Sequence, residues 1–216
     1  MKDLFLSIGN TLSAALGEIQ MLTMWESVAV ILALAYLVLA MRQNIWCWAA
    51  AFFSTAIYTL LFWKVSLLME SVLNVYYMAM AVYGYRLWKG GGQQNSALQV
   101  ESWGMKTHLI LICVTTLVAF ILGWLMATYT EASFPYLDAA TSCFAVMTTY
   151  LVAKKVLENW LYWVVIDLVS IYLYMSKGLM LTSVLFVFYV GLAVWGYFMW
   201  RQQYMQNLQC TNAATA

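Results

Sequence analysis

The polar and aromatic residues of one otherwise apolar stretch are spaced so that they share a single helix face. Trp160, Trp163, Asp167, Ser170 and Tyr174 follow one another at steps of three or four residues, which aligns them along an α-helix. Rings stack on flat solutes and attract cations, and a carboxylate beside them accepts hydrogen bonds. The pattern favours binding of a flat, ring-containing solute, including one with a positive charge. Asp167 equally suits a structural role, bonded to a hydroxyl of a neighbouring helix.

Other apolar stretches carry similar residues at helical spacing. Asn74 is the deepest amide of its stretch, and it equally suits a bond between helices, worth about 0.6 kcal/mol on average. The remaining candidates for binding a solute, several of them aromatic, are Trp48, Phe52, Tyr77, Asn159 and Tyr189.

Catalytic and metal chemistry find little support in the sequence. The four cysteines are scattered without a CxxC pair, there is one histidine, and the GxGxxG, GxxxxGK[ST] and HExxH motifs do not occur. A net charge of +1 gives no field that would attract nucleic acid. We therefore expect no enzyme, no cofactor, no metal and no nucleic-acid partner.

The composition places these residues in a membrane. Hydrophobic types make up 65% of the 216 residues and charged types only 9%, whereas a soluble domain carries roughly 25% charged residues. About 20 apolar residues cross a bilayer as a helix. Seven such stretches are predicted, at residues 25–41, 45–63, 67–88, 107–128, 136–153, 158–175 and 179–200. Residues 1–24 are predicted to form an interfacial helix, and residues 201–216 a disordered tail.

The cations predict the orientation of the chain in the membrane. Seven of them lie after the odd-numbered spans and three on the opposite side. The positive-inside bias therefore puts the amino terminus outside and the carboxy terminus in the cytoplasm. Residues 89–106, which begin with glycines and amides, are then a flexible cytoplasmic linker.

An internal repeat organises the spans. The segment from Tyr77 to Trp88 matches the segment from Tyr189 to Trp200 at six positions with a constant offset. Interfacial aromatic belts would explain the terminal tryptophans but not the matched alanine, valine and glycine positions between them. We predict two parallel three-helix repeats, at 25–88 and 136–200, joined by a connector helix at 107–129. The fold class is an all-α integral membrane protein with a 3+1+3 arrangement, and such repeats enclose a substrate site near the membrane midplane.

A second match predicts the register of the two halves. Asn44 and Trp48 are spaced like Asn159 and Trp163. In this register Asp167 of the second half corresponds to Phe52 of the first.

The residues Glu158-Asn159-Trp160-Leu-Tyr-Trp163, followed by Asp167 and Ser170, resemble the second-half signature of the PnuC family of bacterial vitamin transporters. The first half agrees with the family in Trp25-Glu26, in Asn74-Val-Tyr-Tyr and in Tyr83-Gly-Tyr followed by Trp88, so the resemblance runs from about residue 25 to residue 200. It implies a fold similar to that of the SWEET sugar transporters. It also implies binding roles for Asn74, Asn159, Trp160, Trp163 and Asp167. Other family members carry Gln in place of Asn74 and Asn in place of Asp167.

The function implied by this resemblance is facilitated diffusion of nicotinamide riboside, a precursor of NAD, by alternating access in the bacterial inner membrane. Its pyridinium, carboxamide and ribose hydroxyls suit the rings, amides and carboxylate predicted above. Relatives carry thiamine or riboflavin, so those vitamins, a sugar and a non-transporting receptor remain alternatives. The resemblance also makes a homotrimer the expected assembly.

Overall fold

The computed structural model describes residues 24–64, 68–90, 98–131 and 133–215. The predicted interfacial helix at 1–24 lies almost wholly outside the described residues. Within them, β-structure is limited to one isolated parallel bridge between Glu101 and Val156. The seven described helices are α1 (Met24–Met41), α2 (Trp46–Lys64), α3 (Leu68–Gly90), α4 (Met105–Tyr129), α5 (Pro135–Ala153), α6 (Asn159–Ser176) and α7 (Met180–Thr215).

These helices have the lengths and surfaces of a membrane bundle. By length and composition, α1, α2, α4 and the Thr182–Cys210 part of α7 are able to cross a membrane. The other three have 23, 19 and 18 residues, or about 27–35 Å at 1.5 Å per residue. Large apolar side chains such as Leu117, Phe120 and Trp195 are exposed on the outer surface, where lipid replaces water. The prediction of an all-helical membrane protein is confirmed.

The same helix contacts occur twice in the bundle. α2 packs against α1 and α3, and α6 packs in the same way against α5 and α7. Across the middle, α1 contacts α7 and α5 contacts α3, which is one contact repeated with the two triplets exchanged. α4 packs along α5, and most of its apolar residues are exposed, as expected for a connector at the periphery.

In each triplet, a turn that contains one residue with a left-handed backbone conformation follows the first helix. Gln43 has φ 52° and Lys155 has φ 54°, and these residues are 112 positions apart. The backbone N–H after each one donates to the carbonyl five residues earlier, from Asn44 to Leu39 (2.9 Å) and from Val156 to Leu151 (3.0 Å). This geometry closes the carboxyl ends of α1 and α5 identically.

The register predicted from Asn44 and Asn159 is wrong by three residues. Gly84 faces the ring of Trp48, and Gly196 faces the ring of Trp160, so the structural equivalent of Trp48 is Trp160 and not Trp163. Asn44 lies in the turn before α2, where its side-chain oxygen accepts a hydrogen bond from the Trp46 N–H. Asn159 is instead the first residue of α6, three positions after the residue that is equivalent to Asn44. The two Asn-x-x-x-Trp segments therefore share a spacing but do not occupy equivalent positions in the two triplets.

A cluster of four tryptophans joins the two triplets at the end of the bundle that carries residues 98–104, here called the linker end. Trp48 packs edge-on against Trp88, with 5.3 Å between the ring centres, and Trp160 packs in the same way against Trp200, with 5.4 Å between the ring centres. The ring centres of Trp88 and Trp200 are 6.4 Å apart. We call Trp48, Trp88, Trp160 and Trp200 the tryptophan cluster.

The hydrogen bonds of this cluster cross between the triplets in both directions. Trp88 Nε1 donates to the Ala153 carbonyl of α5 (3.0 Å). Trp200 Nε1 donates to the Met41 carbonyl of α1 (3.1 Å), and Met41 holds the position in its triplet that Ala153 holds in the other. Trp200 Nε1 also donates to the Ala40 carbonyl (3.2 Å), so each triplet supplies one indole donor to the other.

The tail predicted to be disordered is helical instead. α7 continues beyond Trp200 to Thr215, through a stretch that has neither glycine nor proline and is rich in residues that favour helices. Gln203 Oε1 accepts a bond from Gln43 Nε2 (2.6 Å), and Tyr204 packs against the core. These contacts anchor the first turns of the extension to the bundle.

Residues 98–104 of the predicted flexible linker are packed in place. The Glu101 N–H donates to the Lys155 carbonyl (3.1 Å), and the Leu157 N–H donates to the Glu101 carbonyl (2.8 Å). The Glu158 carboxylate accepts bonds from the Ser102 hydroxyl and the Trp103 N–H. This part of the linker therefore lies across the turn between α5 and α6.

Candidate functional site

A cavity of about 400 Å³ lies between the two helix triplets. α1, α2 and α3 supply one part of its wall and α5, α6 and α7 the other, and α4 supplies none of the lining residues. Its volume falls in the range of small-molecule sites, about 300–1,000 Å³. A position between the triplets means that any movement of one against the other changes the cavity.

Seven of the ten residues selected from the sequence line this cavity. They come from four helices and are Trp48, Tyr77, Trp160, Trp163, Asp167, Ser170 and Tyr189. The face predicted for α6 is thus turned inward along its whole length, because Tyr174 lines the cavity as well.

The other three selected residues are not among those that line the cavity. Phe52 packs edge-on against Phe53 (5.7 Å) and against the apolar core. Asn159 is fully buried, and its amide donates to the Val156 carbonyl (2.6 Å) at the start of α6. Asn74 lies half-buried on α3.

Two lining tyrosines were not selected from the sequence. Tyr36 of α1 and Tyr58 of α2 both face the cavity. Tyr36 is the only aromatic residue after Trp25 in the strongly aliphatic α1. This single aromatic residue was the sequence feature that could have predicted its place in the cavity wall. Tyr58 lies one helical turn beyond Ser54 and Thr55, which line the same wall.

The hydroxyl groups of the wall are already used as donors. Ser54 Oγ donates to the Ala29 carbonyl (2.9 Å), Thr55 Oγ1 to the Ala51 carbonyl (2.8 Å) and Thr149 Oγ1 to the Ala145 carbonyl (2.8 Å). A hydroxyl that donates one hydrogen bond retains lone pairs. These groups therefore offer acceptors to a bound solute.

The two indoles that line the cavity at the linker end have buried ring nitrogens. Trp48 and Trp160 line the cavity and are 2% and 1% exposed. Their Nε1 atoms are buried and have no hydrogen-bond partner among the described residues. Buried donors without a partner are rare in native proteins, and these two occur at matching positions of the two triplets.

Asp167 is the charged group of this wall. Its side chain lines the cavity, the residue is 4% exposed, and no described residue forms a hydrogen bond or ion pair with it. Carboxylates within a membrane are costly and usually face a wet cavity or a partner. The arrangement places one carboxyl group without a described partner opposite a set of aromatic rings.

A buried lysine lies next to the tryptophan cluster, outside the helices. Lys155 Nζ donates to Gln43 Oε1 (3.0 Å) and to the Leu98 carbonyl (2.9 Å), and it lies 4.6 Å from the centre of the Trp88 ring. Burial lowers the pKa of this amine to about 8, because removal from water disfavours the charged form. Lys155 thereby ties the second triplet, the first triplet and the linker together.

Comparison with known proteins gives the family. Residues 23–202 match the sequence profile of the family described as nicotinamide mononucleotide transporter. The chain belongs to this family. The match covers every residue that lines the cavity and all four members of the tryptophan cluster.

Two curated relatives and one solved structure agree with the family. The chain is 24% identical to the nicotinamide riboside transporter PnuC of Escherichia coli K12 over 200 residues, covering 81% of this chain and 84% of that protein. It is 26% identical to the riboflavin/roseoflavin transporter RibM of Streptomyces davaonensis over 176 residues, covering 79% and 81%. A crystal structure of the vitamin B3 transporter PnuC shares the fold, with a TM-score of 0.69 at 17% identity, over 94% of this chain and 90% of that one.

Proposed function

We propose that this protein carries nicotinamide riboside across the bacterial inner membrane by facilitated diffusion. The observation that carries the proposal is the cavity between the triplets, because its wall combines rings, hydroxyl acceptors and one carboxylate. The family and the PnuC relative support the same cargo. The protein is a carrier rather than an enzyme in this proposal, since no nucleophile–base pair was found in its sequence.

The chemistry of the wall suits each part of this cargo. Trp163 and Tyr189 provide faces for stacking on the pyridinium ring, whose positive charge an aromatic face attracts. Asp167 provides the matching negative charge. The hydroxyl acceptors of Thr55 and Thr149 suit the carboxamide and the ribose hydroxyls.

We propose two parallel repeats, residues 25–88 and 136–200, that rock about the cavity with residues 107–129 as connector. The doubled helix contacts and the matched turns support this organisation. The tryptophan cluster and its crossed hydrogen bonds hold the linker end closed. Release of cargo at that end requires the bonds of Trp88 and Trp200 to separate.

The orientation and assembly are part of the proposal. The excess of cations at the linker end supports a cytoplasmic position for that end, for α7 and for the carboxy terminus. The amino terminus is then outside the cell. The homotrimer implied by the family resemblance is tested by measuring the mass of the purified protein in detergent by light scattering.

Riboflavin is the second candidate cargo, because a relative at 26% identity is a riboflavin transporter. Its isoalloxazine is also flat and stacks on aromatic rings, but it is neutral. Asp167 therefore favours nicotinamide riboside over riboflavin.

Binding to the purified protein tests the cargo. Isothermal titration with nicotinamide riboside, riboflavin, thiamine and glucose should give measurable affinity for nicotinamide riboside and the weakest affinity for glucose. Trp163→Leu removes a ring from the cavity wall and should weaken binding by up to about tenfold, as expected when an aromatic partner worth about 0.5–1.5 kcal/mol is lost. Trp195→Leu is the matched control, because Trp195 is 62% exposed on the outer face of α7. Equal affinities in both variants would remove the cavity as the binding site.

A further inference from the structure

The carboxylate of Asp167 has no compensating positive charge around it. The ionisable groups that line the cavity with it are tyrosines of α1, α2, α3, α6 and α7, namely Tyr36, Tyr58, Tyr77, Tyr174 and Tyr189. α5 contributes the uncharged hydroxyls of its threonines and Ser142. No lysine, arginine or histidine is among the described lining residues.

The cations nearest in the sequence to α6 are engaged elsewhere. Lys155 is bound at the linker end by Gln43, the Leu98 carbonyl and the Trp88 ring. Lys177, at the other end of α6, forms both its bonds with the Asp138 carboxylate at 2.8 and 2.9 Å. Neither lysine is a lining residue.

The repeat shows that folding of the triplet does not require a charge at this position. In the register given by Trp48 and Trp160, the counterpart of Asp167 is Thr55. The Thr55 hydroxyl donates its hydrogen bond to the carbonyls of Ala51 and Phe52 in its own helix. The same place in the other triplet thus holds a neutral group with its own partners, whereas Asp167 has none among the described residues.

We propose that Asp167 is a cation-selecting residue at which cargo and a proton replace each other. This inference rests on the proposed cargo and site and modifies the transport step, because each cationic cargo carried inward then returns one proton outward, an electroneutral exchange in place of simple facilitated diffusion. When a cationic cargo enters, the O–H bond of the Asp167 carboxyl breaks, the proton leaves to water, and the carboxylate pairs with the positive ring. When the cargo leaves, the carboxylate takes a proton from water. A buried carboxylate is therefore paired or neutral throughout.

Two consequences distinguish this exchange from simple binding. Affinity for a cationic cargo rises with pH while the empty carboxyl is protonated, by up to about tenfold per pH unit for one proton displaced. It levels off where the carboxyl of the empty protein is ionised. A neutral cargo of the same shape displaces no proton, so its affinity is independent of pH.

The test compares nicotinamide riboside with its reduced, uncharged 1,4-dihydropyridine form. Both are titrated calorimetrically into the full-length protein between pH 5.5 and 8.5, in buffers of different ionisation enthalpy, which counts the protons released. Wild type should release a fraction of a proton, up to one, with the cation and none with the neutral form. Asp167→Asn should release none, bind the cation on the order of tenfold or more weakly, and bind the neutral form as wild type does.

Further variants control for folding and for surface charge. Asp167→Glu keeps the charge and should restore the proton release and the dependence on pH, and the thermal unfolding of each variant checks that it is folded. Asp138→Asn removes a carboxylate whose partner is Lys177, outside the cavity lining, and should leave both measurements unchanged.

Two negative results are distinguishable. Binding of nicotinamide riboside with no proton release, and with the same pH profile in wild type and Asp167→Asn, would overturn the exchange but leave the proposed cargo intact. Binding of neither compound by folded wild type would refute the proposed function itself.

Discussion

At the scale of single residues, two glycines determine how closely the helices of each triplet approach. A methyl group added at Gly84 would lie 2.4 Å from the ring of Trp48, and one added at Gly196 would lie 2.8 Å from the ring of Trp160. Both indoles are almost fully buried and pack edge-on against Trp88 and Trp200, so a shift of either ring would disturb the tryptophan cluster. The glycines therefore set the positions of two rings that line the cavity.

We predict that Gly84→Ala and Gly196→Ala each destabilise the protein. Overpacking of a buried site costs about 1–3 kcal/mol, which exceeds the gain of about 0.5–1 kcal/mol from replacing glycine in a helix. Gly191→Ala, on the same helix as Gly196 but with open space around it, should be neutral or stabilising. Thermal unfolding in detergent measures all three, and equal shifts at Gly191 and Gly196 would contradict the close packing.

The sequence predicts cavity residues well where a polar or aromatic stripe interrupts an apolar helix. Trp163, Asp167 and Ser170 were found because steps of three and four residues allow only one shared face. Asn159 precedes this stripe and was also selected, but its amide donates to the backbone at the first turn of α6. Periodicity predicts which face of a helix a residue lies on. It does not predict whether a side chain at the end of the helix bonds to the backbone instead of facing the cavity.

At the scale of elements, the turn between α5 and α6 links three parts of the chain through one amine. Lys155 contacts the first triplet through Gln43 and the linker through Leu98. The sequence showed Lys155 only as a cation that orients the protein. Its burial depends on a left-handed turn and on the packing of the linker, and neither follows from local sequence.

We predict that the stability of the protein relative to Lys155→Met rises between pH 8 and about 10.5. The folded-state pKa of Lys155 is lowered to about 8 from 10.5, so the unfolded chain binds more protons within this window. Burial of the charged amine opposes folding fully below pH 8, and this opposition is relieved as the pH rises. Chemical unfolding of both proteins at pH 7 and pH 10 measures the change; a difference that is constant or falls with pH would show that the amine is not desolvated.

The ends of the elements were less predictable than their number. Seven apolar stretches gave seven helices, because backbone polar groups in a membrane must be satisfied within a helix. The polar extension of α7 was expected to be disordered, since hydropathy does not report on helix propensity or on Gln203 and Tyr204 docking against the bundle. The predicted register between the triplets was wrong for a related reason. It matched Asn44, which lies in a turn, with Asn159, which begins a helix.

At the scale of the whole molecule, the crossed bonds of Trp88 and Trp200 hold the two triplets together at the linker end. Trp88→Phe and Trp200→Phe each keep most of the ring but remove the donor. Each should reduce stability by about 0.5–1.5 kcal/mol. Because the rings lie 6.4 Å apart, the double variant should deviate from additivity by about 0.5 kcal/mol or more. Trp195→Phe at an exposed position is the control, and losses no larger than its own would show that the crossed bonds do not stabilise this closed end.

One cavity between the two triplets is proposed to bind and carry the cargo. Counterflow measures it most directly: proteoliposomes loaded with unlabelled nicotinamide riboside are diluted into a trace of the labelled compound. We expect a transient accumulation of label with wild type and with Trp195→Leu, and a strongly reduced accumulation with Trp163→Leu. Absence of counterflow with folded wild type, or equal counterflow in the two leucine variants, would contradict it.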